Sequence, residues 1–169
     1  RDAKLVAAAH GYDALMASIR PTEKLPGKKA AIIGGGPTGI AAAYFLARGG
    51  VQTTIFEREE KLGGVPRYVI PAFRISDEAL DKDVALMERL GVEVKCGAPA
   101  PSVAELKKMG YTHILLATGA WQAGELGIPG NVRGVIAWMK EMKQQVKPCL
   151  EGHVVVVGAG NTAMDAARV

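Results

Sequence analysis

Cysteine is scarce in this chain. Its 169 residues include two, Cys96 and Cys149, far apart and without other ligand-type side chains at metal-binding spacing. That excludes a zinc or iron–sulfur site, or any other metal site, built within the chain. It also removes the close thiol pair that a disulfide-reducing centre needs, because the thiolate must stand beside the sulfur it attacks. Two isolated, reduced thiols fit a cytoplasmic protein. Aromatic side chains make up only 5%, and the net charge is a modest +4 from scattered lysines and arginines, which argues against a nucleic-acid partner. No apolar run approaches the ~20 residues of a membrane span, and no signal-peptide pattern opens the chain, so no membrane partner is expected. His10, His113 and His153 have no serine and acid arranged around them. Each reads as a structural or surface residue, and no catalytic side chain is assigned.

Glycine, by contrast, is plentiful at 21 residues, and two clusters of it follow apolar runs. The first is Ala31-Ile32-Ile33-Gly34-Gly35-Gly36-Pro37-Thr38-Gly39, leading into an apolar helix from Ile40 to Arg48. In the spacing Gly34-x-Gly36-x-x-Gly39, the first glycine allows a tight turn. The second lets the backbone approach a pyrophosphate, and the third lets helix and strand pack closely. The helix N-terminus then offers unpaired N–H groups and partial positive charge to the phosphates. A second strand, Gln52-Thr53-Thr54-Ile55-Phe56, ends at Glu57, where a carboxylate can accept hydrogen bonds from ribose hydroxyls. Lys61-Leu62-Gly63-Gly64 follows, and a glycine pair there lets the chain fold close over a pyrophosphate and flavin. Tyr111 to Gly119 reads as a buried parallel strand that returns to the same sheet and brings Thr118 and Gly119 beside the cofactor.

The second cluster is Val154-Val155-Val156-Val157-Gly158-Ala159-Gly160-Asn161-Thr162-Ala163. Here alanine replaces the third glycine, as in many NADPH sites, although NADH is not distinguished by the pattern. Gly158, Gly160, Asn161 and Thr162 would meet a pyrophosphate at the helix start. Asp165, one turn inside, would hold the turn together or meet the nicotinamide end. Arg74, in Ile70-Pro71-Ala72-Phe73-Arg74-Ile75, carries a permanent charge that could hold a flavin phosphate or the anionic reduced ring.

The order along the chain gives residues 1–27 as an amphipathic helix and linker, with Leu5, Ala9, Tyr12, Met16 and Ile19 as its stripe. Residues 28–120 form an FAD-binding domain, 121–150 a crossover linker with a helix over 135–146, and 151–169 the start of an NAD(P)H-binding domain. Within the first domain, Ser76 caps a helix whose stripe is Leu80, Val84 and Met87, and Val92 to Cys96 alternates as a strand. Ser102-Val103-Ala104-Glu105 is a capping box. The fold class is α/β, a Rossmann-like three-layer arrangement. A βαβ unit needs about 30 residues, so the sequence reads as a piece cut inside its second nucleotide-binding unit, lacking the closing strand of its first. Val154 to Val157 is then expected to pair with the open edge at residues 113–117, in the same chain or across a dimer.

Three stretches carry a resemblance to a family. They are Ile33 to Tyr44, Gly63-Gly64-Val65-Pro66-Arg67-Tyr68-Val69-Ile70-Pro71-Ala72-Phe73-Arg74-Ile75, and Gly158 to Arg168. In these the chain resembles the glutamate synthase small-subunit family, which includes the flavin and NADPH halves of dihydropyrimidine dehydrogenase, and within it most closely the selenate reductase-type subunits. The resemblance implies FAD along Gly34, Gly36, Pro37, Thr38 and Gly39, from Glu57 and Arg58 through Val65, and at Arg74. It implies NADPH from Gly158 to Asp165. It also implies an oxidoreductase whose electrons run from NADPH through FAD to iron–sulfur clusters elsewhere in the parent protein, either in another domain or in a partner subunit. The family's cysteine-rich domain and the strand that closes its flavin domain are missing from this sequence, and half a nucleotide-binding domain cannot hold NADPH against a flavin, so the piece itself is expected to be inactive. Two other readings stay open: a ferredoxin–NADP reductase of the same architecture, and a non-catalytic nucleotide-binding module.

Overall fold

A computed structural model describes residues 2–122, 124, 127–144, 150 and 152–169. Helix α1 (Asp2–Ser18) precedes strand β1 (Lys29–Ile33), helix α2 (Pro37–Arg48) and strand β2 (Gln52–Phe56). A single turn, α3 (Val65–Tyr68), leads to helix α4 (Asp77–Glu88) and strand β3 (Glu93–Lys95). Helix α5 (Val103–Lys108), strand β4 (His113–Leu116), helix α6 (Val135–Lys143) and helix α7 (Asn161–Arg168) complete the order.

The strands form one parallel sheet in the order β3-β2-β1-β4. Successive residues point to opposite faces, and this divides the core in two. Ile32 and Ile55 join Ala43 and Ala47 of α2 and Met87 of α4 on one side, while Ala31 and Phe56 pack with Leu106 and Tyr111 on the other. Helices therefore cover both faces, giving the three layers expected. The chain moves outward from β1 through β2 to β3 and then crosses back to place β4 on the opposite side of β1. That reversal lies between β1 and β4, and sheets of this kind bind ligands at such a point, outside the carboxyl ends of the strands.

Local signals set most of the boundaries. Ser76 Oγ accepts from Ala79 N–H at 3.3 Å to start α4, and Ser102 and Glu105 form the reciprocal capping box of α5. Gly91 adopts a φ of +78° just past α4, which releases the chain into β3. Helix α1 is amphipathic only in its second half. Leu5 and Val6 are exposed, while Tyr12 donates to the Lys82 carbonyl of α4 at 3.2 Å and Ile19 enters the core.

Two expectations need correction. Val154 to Val157 is not a strand and pairs with nothing among the described residues; Val155 is 81% exposed. Among the described residues, the β4 edge that it was expected to cover remains open. In consequence β4 is not buried: Leu115 and Leu116 are exposed, because no helix or strand among the described residues covers that edge of the sheet. The predicted helix from residue 135 runs to Lys143, and residues 145–149, including Cys149, lie outside the described residues. No helix among the described residues is long and apolar enough to cross a membrane, and no group of His, Cys, Asp and Glu there is arranged to hold a metal.

Candidate functional site

The turn from β1 to α2 lies at the reversal point, and its glycines differ in what they do there. Gly34 has a φ of +108°, and a Cβ there would lie 2.4 Å from the Ala117 carbonyl oxygen, just past β4. At Gly39 a Cβ would come within 2.0 Å of the Gly34 carbonyl oxygen, so the third glycine sets how closely helix and strand approach. Gly36 differs. It caps α2 with an extended backbone (φ −74°), and the nearest protein atom to a Cβ there is Gly64 Cα at 3.8 Å. No described part of the chain forces glycine at that position. The space it keeps clear lies at the N-terminus of α2, where free N–H groups favour an anion. Pro37 begins the helix with no N–H to satisfy, and Thr38 is exposed beside it.

Glu57 is 7% exposed. Its Oε2 accepts from the Gly35 N–H at 2.6 Å, and its Oε1 accepts from the Glu59 N–H at 2.9 Å. The carboxylate therefore ties the glycine turn to the end of β2. Each oxygen has a further lone pair, so it can also accept from a diol laid along the turn. The paired glycines close the other wall. Gly63 N–H donates to the Gly35 carbonyl at 2.8 Å, and both Gly63 (φ +129°) and Gly64 (φ +57°) use backbone conformations that suit glycine. Val65 starts α3 directly behind them. Thr118 and Gly119 leave β4 exposed beside Gly34, with Gly119 at φ +71°. Gly34 to Gly39, Glu57, Gly63, Gly64, Thr118 and Gly119 thus converge on one cradle. Its open N–H groups, uncluttered backbone and buried carboxylate suit a dinucleotide's pyrophosphate and ribose.

Several side chains in this region make contacts that no motif announced. Arg67 is 5% exposed beneath the glycine pair; it donates to the Leu62 carbonyl and binds Asp81, with Asp77 3.6 Å from its Nη1. It pins the turn to α4, where Asp77 and Asp81 stand four residues apart on one face. Lys143 of α6 donates to the Ile70 and Pro66 carbonyls at 2.6 and 3.2 Å, and burial pushes its ammonium pKa down. Lys140 pairs with Glu59 at 2.7 Å and lies over the rings of Tyr68 and Trp121. Arg58, exposed, also lies over the Trp121 ring, at 5.2 Å. Lys140 and Lys143 stand one turn apart at the end of α6, a basic face whose target the sequence does not name.

The second glycine turn is built less completely. Gly158 takes a φ of +135°, and Gly160 caps α7 with nothing within 4 Å of a Cβ position. Asn161 and Thr162 are exposed at the helix start, and neither turns back to cap it. Asp165 points the other way. It is buried, and its Oδ1 accepts from both Nε and Nη2 of Arg74, at 2.7 and 2.6 Å. These hydrogen bonds, and then the charge of Asp165, push the Arg74 pKa up. The structure thus joins two residues expected at different cofactors.

A family model described as pyridine nucleotide-disulphide oxidoreductase matches residues 28–169. Among curated proteins, the chain is 38% identical to one named "Putative oxidoreductase YgfK" from Escherichia coli (strain K12), over 99% of this chain and 17% of that protein. It is 34% identical to the glutamate synthase [NADPH] small chain of Mycobacterium tuberculosis (strain CDC 1551 / Oshkosh), over 86% of this chain and 34% of that one. A solved 2-naphthoyl-CoA reductase aligns over 95% of this chain and 24% of its own, with a TM-score of 0.67 at 22% identity, a likeness of fold. The chain therefore spans between about a sixth and a third of the length of these two relatives.

Proposed function

The chain belongs to the pyridine nucleotide-disulphide oxidoreductase family, and from that premise we propose that residues 28–120 bind FAD in the β1–α2 cradle. The larger protein to which they correspond would be an NADPH-dependent flavoprotein oxidoreductase. The observation that carries this reading is the clear space at Gly36, framed by the α2 N-terminus, Gly64 and the buried Glu57 carboxylate. A pyrophosphate would be held by the N–H groups at the start of α2, and the ribose hydroxyls would donate to Glu57. Bound flavin supplies acceptance of a hydride and release of single electrons. Thr118 and Gly119 lie at the carboxyl end of β4, on the side that a ligand lying across the reversal point would reach.

Residues 151–169 we assign to the beginning of the NADPH unit, with Gly158, Gly160, Asn161 and Thr162 facing the nucleotide. The glutamate synthase relative carries NADPH in its name, which supports that cofactor over NADH. With only Cys96 and Cys149 in the sequence, far apart, the chain holds no thiol pair to receive the electrons. Iron–sulfur centres in a partner domain or subunit are the acceptor we propose, in keeping with the family resemblance.

The test is a fluorescence titration of the chain with FAD, run beside Glu57→Ala and Glu60→Ala. Loss of the ribose hydrogen bonds at Glu57 should weaken binding by about 1.5–3 kcal/mol, while exposed Glu60 should be neutral. Equal affinity in all three proteins would reject the cradle as the FAD site.

A further inference from the structure

We propose that Arg74 is a positioning residue for the second glycine turn, acting through Asp165, and not a contact of the flavin; the link to NADPH rests on the reading above. Arg74 lies in the short segment between α3 and α4, and Asp165 lies on α7, 91 positions later. Two of the three guanidinium nitrogens converge on one oxygen of a side chain that is the buried residue of its helix. A neighbouring contact repeats the attachment: the Arg168 guanidinium lies 4.2 Å from the centre of the Phe73 ring. Both contacts join the Phe73–Arg74 segment to one face of α7, and α6 packs against the same helix.

What makes these contacts decisive is the missing strand. In a complete nucleotide-binding unit, the sheet fixes the strand before the glycine turn, and the turn fixes the helix. Here Val154 to Val157 pairs with nothing among the described residues. The direction of α7, and with it the direction in which the N–H groups of Gly160 to Thr162 point, is set from the helix's inner face. Arg74 supplies the charged part of that hold. An arginine suits this role because its planar fork fixes an angle as well as a distance, which a lysine does not. Its side chain is half-exposed, while that of Asp165 is one-tenth exposed.

The experiment measures amide hydrogen exchange over residues 161–168 together with FAD affinity, in the chain itself and in Arg74→Ala, Asp165→Asn, the double variant and Arg74→Lys. Either single change should speed exchange in α7 by about tenfold and leave β1 and α2 protected as before. The double variant should go no faster than either single one, because both remove the same link. Arg74→Lys should fall between, and FAD affinity should not change in any of them. The proposal is overturned if Arg74→Ala weakens FAD binding while Asp165→Asn does not, since Arg74 would then be a flavin contact. It is also overturned if α7 is unprotected in the unaltered chain, or if the two effects simply add. A chain that binds no FAD at all would remove the FAD assignment and leave the exchange result to decide this one.

Discussion

An alanine at Gly34 would press its Cβ to within 2.4 Å of a backbone oxygen at a φ of +108°, whereas the same change at Gly36 meets ordinary contact at 3.8 Å and a φ of −74°. The two neighbouring positions should therefore fail in different ways. Gly34→Ala is expected to lower the melting temperature sharply, because backbone strain and a clash with the segment after β4 coincide. Gly36→Ala should melt like the unaltered chain and lose FAD, since its methyl fills the space kept for the ligand. Thermal melts and a flavin titration on the pair separate the outcomes, and a Gly36→Ala protein that binds FAD normally would show that the space serves something else. The glycines and Glu57 were readable from spacing alone, because each meets a local requirement of a strand-turn-helix unit. What the sequence did not reveal was inward bonding. The hydrogen bonds of Glu57 to the Gly35 and Glu59 N–H groups, and those of Arg67 to Leu62 and Asp81, depend on which loops meet in space.

Between elements, one hydrogen-bonded line crosses the sheet. Tyr111 Oη, leading into β4, donates to Thr54 Oγ1 of β2 at 2.9 Å, and Thr54 donates to Glu93 Oε2 of β3 at 2.9 Å. The Thr54 bond is the main reason the Glu93 carboxyl pKa lies below its ordinary 4.5. A carboxylate depressed in the folded state adds stability in full above its unfolded pKa and loses it as pH falls through the lower folded value. Thr54→Val should therefore show two effects in urea unfolding. Near neutrality it should be less stable by about 1–3 kcal/mol, because the buried Tyr111 hydroxyl loses its acceptor. In acid, below the ordinary carboxylate range, the variant should lose less further stability than the parent. Parallel acid profiles in the two proteins would show that Glu93 does not feel Thr54. The elements themselves followed from pattern: β1 and β2 were read from their runs on either side of the glycine turn and α2, and helices α4 and α5 from their caps. The valines at 154–157 carried an equally clear strand signal and formed no strand. Side-chain periodicity reports which surface a segment would bury, but a strand exists only where another backbone accepts its hydrogen bonds.

For the molecule as a whole, the completeness of the two glycine turns is unequal. The first sits on a four-stranded sheet, and the second on α7 and its side contacts. Hydride transfer needs the nicotinamide held within about 3–3.5 Å of the flavin, in line with it. A turn without its sheet does not provide that hold. The 169-residue chain loaded with FAD is therefore expected to show no NADPH oxidation beyond that of free FAD in stopped-flow absorbance. Reduction well above that background would mean that the second turn is sufficient as it stands. The position of β1 also governs the order in which the chain can fold. Its residues pair with nearby β2, as at Lys29 and Gln52, and with distant β4, as at Ala30 and His113. Closing the longer loop costs about 1 kcal/mol more in chain entropy, and non-local pairings form late. The β1–α2–β2 core should assemble first and β4 dock last, so the wall that Ala117 lends to Gly34 arrives only at the final step of folding. A newly made chain would carry a half-open cradle until then, and any ligand that spans β1 and β4 would act as a clamp on that last event.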